Sequence, residues 1–166
     1  MTDLDVIAAQ LGRPPRGVVG VAWRCPSGWP GVATTAPRLP PKGSPFPTTY
    51  YLTCPAAIAG CSRLEAAGVM AEMTSRLASD ADLRTRYEAA HRSYLADRAT
   101  LATSQGTADV PDSQTSAGGM PSRVKCLHAL VGHALAAGPG VNPFGDEALA
   151  TLGEFWVGCN LCGGPS

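Results

Sequence analysis

An α+β fold, a small three-stranded antiparallel sheet packed against four to five helices, is what this 166-residue chain predicts. Three observations point to it. Short valine- and tyrosine-rich runs bounded by glycine and proline fill the first third, and apolar residues at helical spacing recur through most of the remaining chain. Hydrophobic residues make up 45% of the chain, enough for one buried core but not for two full domains. The expected organisation is a single domain over residues 1–156, with a flexible insert at 103–119 and a tail at 157–166.

Thr2 or Asp3 caps a first short helix in which Leu4, Ile7, Ala8 and Leu11 share a face, and Gly12 with the prolines behind it stops that helix. Gly17 to Cys25 reads as a valine-rich strand, Pro26 to Pro30 as a turn and Gly31 to Ala36 as the return strand of a hairpin. Pro37 to Pro47 holds five prolines, which cannot donate to a ladder, and is expected to be an irregular surface connection. Thr48 to Thr53 has the β-branched and aromatic content of a third strand. Pro55 suits the first turn of a helical stretch through Ile58, Leu64, Val69, Met73 and Leu77 that is interrupted near Gly68.

Ser79 or Asp80 caps the next helix, whose stripe runs through Leu83, Tyr87, Ala90, Tyr94, Arg98 and Leu101. Thr103 to Gly119 is polar and glycine-bearing, hence the insert. Pro121 to Ala137 is expected as a helix stopped by Gly138, and Asp146 as the cap of a last one reaching Leu152 or Trp156.

Thirteen basic residues balance thirteen acidic ones, so no long-range field gathers nucleic acid or anionic lipid. Neither a nucleic-acid nor a membrane partner is expected. The first residues are acidic where a signal peptide needs a basic start, and no run of roughly eighteen apolar residues occurs, so a cytoplasmic location is expected. In a reducing compartment the six cysteines point to thiols, metal binding or redox chemistry rather than to a disulfide framework.

Cys159 and Cys162 form a C-x-x-C-G knuckle, half of a four-ligand metal site, in the tail. Cys25 opens a similar turn whose second cysteine is absent. Cys126, His128 and His133 are ligand types, but on a regular helix Cys126 and His133 lie about 10 Å apart along the axis. Cys126 and His128, two apart, would point to different sides unless the first turn is irregular. The helix therefore offers one ligand to any one ion, and Cys25 and Cys54, both at strand ends, are the natural companions of Cys126. Each cysteine has a plain alternative as a small buried apolar residue. Cys54 precedes Pro55 at a helix start, where unpaired amides stabilise a thiolate, so it is also the candidate nucleophile of a thiol enzyme. His91 reads as a core histidine and Cys61 as packing. Arg123 and Lys125, beside rigid glycine-proline loops, are candidates for binding an anionic cofactor, or ordinary solvated charges.

The segments Pro45–Pro55 (PFPTTYYLTCP), Leu64–Gly68 (LEAAG) and Gly118–Leu149 (GGMPSRVKCLHALVGHALAAGPGVNPFGDEAL) resemble an actinobacterial family of unknown function, number five hundred and one, over most of residues 13–152. The resemblance carries no reaction. It implies a genomic neighbourhood with a septum-formation initiator and a polyphosphate phosphatase, and from that a link to cell division, with a protein partner there, or to phosphate metabolism. Three functions are compatible with these residues. The first is a cytosolic centre in which Cys25, Cys54 and Cys126 hold zinc or an iron-sulfur cluster, with a fourth ligand from His128, His133 or the Cys159–Cys162 knuckle. The second is the thiol enzyme using Cys54, and the third a non-catalytic interaction protein presenting its tyrosine-rich helix and exposed tryptophans.

Overall fold

Thr2 and Asp5 exchange reciprocal hydrogen bonds, the Asp5 amide to the Thr2 hydroxyl and the Thr2 amide to the Asp5 carboxylate, and this box starts α1 (Asp3–Leu11). The structure, a computed structural model, describes residues 1–158. The hairpin comes next as β1 (Val18–Arg24) and β2 (Pro30–Thr35), and a third strand adds to β2 after the proline-rich connection. That connection is not wholly irregular. It folds into a two-stranded ribbon, β3 (Arg38–Leu39) with β4 (Ser44–Pro45), around a cis Pro40–Pro41 bond. The third strand of the main sheet is then β5 (Tyr50–Leu52), with Leu52 opposite Val32. The main sheet is antiparallel, as the sequence predicts, in the order β1-β2-β5.

Pro55 takes the first turn of α2 (Pro55–Ala66), Gly68 breaks the chain, and α3 (Val69–Ser79) continues. The Asp80 carboxylate accepts from the Leu83 amide to start α4 (Ala81–Ser104), whose buried side is Leu83, Tyr87, Ala90, Tyr94, Arg98 and Ala102. Two helix starts differ from expectation. The chain from Pro121 to Cys126 is loop, and α5 begins at Leu127 (Leu127–Ala137). The last helix, α6 (Pro143–Leu152), is capped by Asn142, whose Oδ1 accepts from the Gly145 amide, while Asp146 reaches back to the Gly140 amide. The described residues thus carry six helices, one above the expected four to five, because the stretch from Pro55 to Ser79, readable as one or two helices, is two.

α5 is the centre of the molecule, buried from Leu127 to Ala134 apart from His128. It lies so close to β5 that a Cβ on Gly132 would stand 2.7 Å from the Tyr50 carbonyl oxygen, and a Cβ on Gly145 of α6 would meet the Leu130 carbonyl. Tyr87 of α4 and Phe144 of α6 pack edge to face at 4.8 Å. The tyrosines of α4 are therefore core residues, Tyr87 and Tyr94 both fully buried, and Trp23, Trp29 and Trp156 pack against the core rather than standing exposed. That removes the aromatic surface on which the interaction-protein reading rests.

The segment expected as an insert lies against α4. Arg98 donates to Asp109 at 2.8 Å and to the Pro47 carbonyl, Arg38 donates to the Asp109 carbonyl, and Ser116 pairs with His91 at 2.7 Å. Among the described residues no helix is long and apolar enough to cross a membrane.

Candidate functional site

Backbone hydrogen bonds decide why the loop before α5 does not wind up. The Gly118 carbonyl accepts from the Lys125 amide at 2.7 Å and from the Cys126 amide at 3.4 Å, and the Gly119 carbonyl from the Arg123 amide. Both glycines have positive φ, 66° and 91°, so this return is open to them at no steric cost. Tyr87 donates to the Arg123 carbonyl and the Thr74 hydroxyl accepts from the Val124 amide, which ties the loop to α3 and α4. Cys126 is left in an extended conformation, φ −149° and ψ 110°, as the residue before the helix.

That conformation changes the geometry that regular helical spacing predicts. Two residues apart on a helix, Cys126 and His128 would diverge; with Cys126 outside the helix their side chains meet. Glu65, near the end of α2, closes the group. Its Oε2 accepts from the Leu127 amide at 2.9 Å and lies 3.1 Å from His128 Nδ1, where a carboxylate at a helix start is electrostatically favoured. On the other side of the ring Ser62 Oγ is 3.3 Å from Nε2. Ligand atoms of Glu65, Cys126 and His128 all lie within 4.8 Å of one another. Among the described residues Glu65 Oε1 has no hydrogen-bond partner.

Charge is shared across the group. The Cys126 thiol is held below its ordinary range, first by His128, against burial, with the Ala129 amide also favouring the thiolate and the Glu65 charge opposing it. His128 is raised to about 9 by its bond to Cys126, against burial, and by Glu65. Cys61 is pushed up to about 12, mostly by burial and then by Glu65 and Cys126, so it stays a neutral packing thiol. A thiolate, an imidazole and a carboxylate in one place are a metal-ligating trio; without metal they pair a nucleophile with a base. The group is reachable, with His128 and Glu65 side chains 29% and 23% exposed. Cys126 and His128 line a hollow of about 340 Å³ with Leu11, Tyr50, Leu52 and Ile58.

Residues 21–150 match the family described as "Protein of unknown function (DUF501)". The chain belongs to the DUF501 family. The matched residues include Glu65, Cys126 and His128 and leave out α1. No curated protein and no solved structure matches the chain.

The remaining sequence-derived residues of this DUF501 chain fall in different places. Cys25 is buried at the end of β1, its amide bonded to the Trp29 carbonyl. Cys54 does precede α2, but it is fully buried and disulfide-bonded, which corrects its reading as the nucleophile of a thiol enzyme, since a sulfur in a disulfide is not a thiolate. Cys126 groups with Glu65 and His128 in place of Cys25 and Cys54. His133 is a fully buried core ring, stacked on Tyr50 at 5.9 Å and set edge-on to Tyr94 at 5.1 Å, with Nδ1 accepting from the Asn142 side chain. Arg123 and Lys125 are exposed on the loop before Cys126. Cys159 and Cys162 lie outside the described residues. Glu65 escapes sequence reasoning because only α2 docking against α5 makes it a partner. The legible signal is the glycine-proline stretch from Gly118 to Pro121 before the apolar run, which marks a turn and makes an irregular start to the helix readable.

Proposed function

We propose that this DUF501 protein holds a zinc ion through Glu65, Cys126 and His128, with a fourth coordination position open to the neighbouring hollow. What supports the reading is the convergence of three unlike donors, an oxygen, a sulfur and a nitrogen, within 4.8 Å. Ligand atoms on a tetrahedral zinc at about 2.0–2.3 Å from the ion stand about 3.5 Å apart, so side-chain shifts of about 1 Å complete the geometry. Three protein ligands and an open position are the arrangement of catalytic rather than structural zinc, and there the ion acts as a Lewis acid on whatever occupies the hollow. An iron-sulfur cluster takes mainly thiolates, and this group carries one, so zinc suits the donor set better. Ser62, beside His128, would orient the ring from behind.

Metal analysis after purification in zinc-supplemented buffer tests the reading, with a competing chelator to measure affinity. Expected are about one zinc per chain and a loss of affinity on the order of 100-fold or more in Cys126→Ala, His128→Ala and Glu65→Gln, each folded by circular dichroism. A folded wild-type protein that stays zinc-free and ignores added zinc overturns the proposal.

A further inference from the structure

Cys126 lines two hollows of opposite character. On one side is the apolar space of about 340 Å³ with Leu11, Tyr50, Leu52 and Ile58, whose titratable walls among the described residues are Cys126, His128 and two tyrosines. On the other is a second hollow of about 470 Å³ that includes Gly118, Gly119, Ser122, Arg123 and Lys125, with no acidic residue among its described walls. Thr48, Cys126 and Ala129 belong to both, so these three form the ridge between them. Among the described residues neither the Arg123 guanidinium nor the Lys125 ammonium has a hydrogen-bond or ion-pair partner, although other arginines are engaged: Arg24 with Asp3, Arg76 with Glu147, Arg86 with Asp82 and Arg98 with Asp109. Two unneutralised cations, an apolar recess and a reactive group between them define a chemical class.

We propose that the centre acts on an anionic amphiphile, its carboxylate or phosphate head on Arg123 and Lys125, its apolar body among Leu11, Tyr50, Leu52 and Ile58, and its middle across Cys126. The inference rests on the zinc reading, because it assigns the molecule that meets the open coordination position. A small hydrophilic anion would leave the apolar recess in water, and a neutral lipid would leave the cations unused. Only a molecule with both parts covers both hollows.

Cobalt in place of zinc makes the centre visible, since a thiolate-bound cobalt ion has intense absorption that shifts when its coordination sphere or immediate surroundings change. The cobalt-loaded protein is titrated with octanoate, and with acetate and octanol as its separate halves, while calorimetry follows binding directly. Octanoate is expected to bind at least about tenfold more tightly than either half and to shift the cobalt spectrum. The double variant Arg123→Ala with Lys125→Ala should lose about tenfold for octanoate and nothing for octanol or cobalt. If cobalt is not taken up, the zinc reading and this inference fall together. If cobalt binds but octanoate gives neither heat nor shift, the amphiphile is wrong and the metal centre stands. Heat without a spectral shift places the octanoate away from Cys126, and equal affinity in the double variant removes the head-group assignment; either result overturns the proposal.

Discussion

His133 shows what a ligand-type side chain does when the core claims it. Its ring is fully buried between Tyr50 and Tyr94, Nδ1 accepts from the Asn142 side-chain amide, and Nε2 has no partner among the described residues. Burial lowers its pKa from 6.5 to about 4, against the pull of Asp97 and Asp146, the charged groups that act on it. A depressed histidine favours the folded state above the unfolded value and loses that contribution as pH falls, because the unfolded chain takes up the proton first. The window runs from about pH 6.5 down to about pH 4. Between pH 7.5 and pH 5 this one ring should remove about 2 kcal/mol of stability. Urea unfolding of wild type and His133→Gln at both values isolates the effect, since other titrating groups are common to both chains. A stability difference between the two proteins that does not change with pH would show that the ring is not held neutral.

The elements differ in how much of each start is written locally. Thr2 and Asp80 are readable as caps because their bonds are made within three residues, and the helices they start begin where the pattern puts them. The beginnings of α5 and α6 depart from the pattern for a different reason. Pro121 looks like a first-turn proline, but the Gly118 carbonyl and the Glu65 carboxylate of another helix hold the backbone after it out of the helix, and nothing near position 121 encodes Glu65. That is also why the pairing of Cys126 with His128 is legible in the sequence only as the exception of an irregular first turn: it exists because the cysteine is not helical. Asn142 does two jobs at once, capping α6 through Oδ1 and donating to His133 through Nδ2. Its replacement by alanine should therefore cost more than that of an ordinary cap. Asp80→Ala is expected to lose about 1 kcal/mol, and Asn142→Ala about 2–4 kcal/mol, because a buried ring nitrogen is left without its donor. Thermal unfolding compares them directly, and equal losses would mean that the bond to His133 contributes nothing.

At the scale of the whole molecule, the fold class, the three strands and the long helix are legible because periodicity and caps are local signals. Long-range polar ties are not. Arg98 sits on the buried stripe that its helical spacing predicts, while Asp109 lies in a stretch whose composition reads as loop; only the structure joins them. The Arg98 side chain is 0% exposed, and its guanidinium holds together α4, the Pro47 carbonyl before β5 and the chain at Asp109 and Ser113. Removing one partner of a buried pair leaves the Asp109 carboxylate with the Val110 amide but without its ion-pair partner and takes a donor from two carbonyls, so Arg98→Met should cost about 3–5 kcal/mol even though the aliphatic stem is kept. Arg86 makes a pair of similar length with Asp82, but with side chains 54% and 81% exposed water competes for both ends, and Arg86→Met should change stability by less than about 0.5 kcal/mol. The denaturant slope should stay the same in both, since neither variant alters the surface exposed on unfolding. The Arg98 variant should also weaken zinc binding little, because among the described residues none of the groups it holds is hydrogen-bonded to Glu65, Cys126 or His128. Equal denaturation midpoints for the two variants would mean that the tie between α4 and Asp109 does not hold the molecule together, and that the chain from 105 to 119 packs by apolar contacts such as Val110 alone.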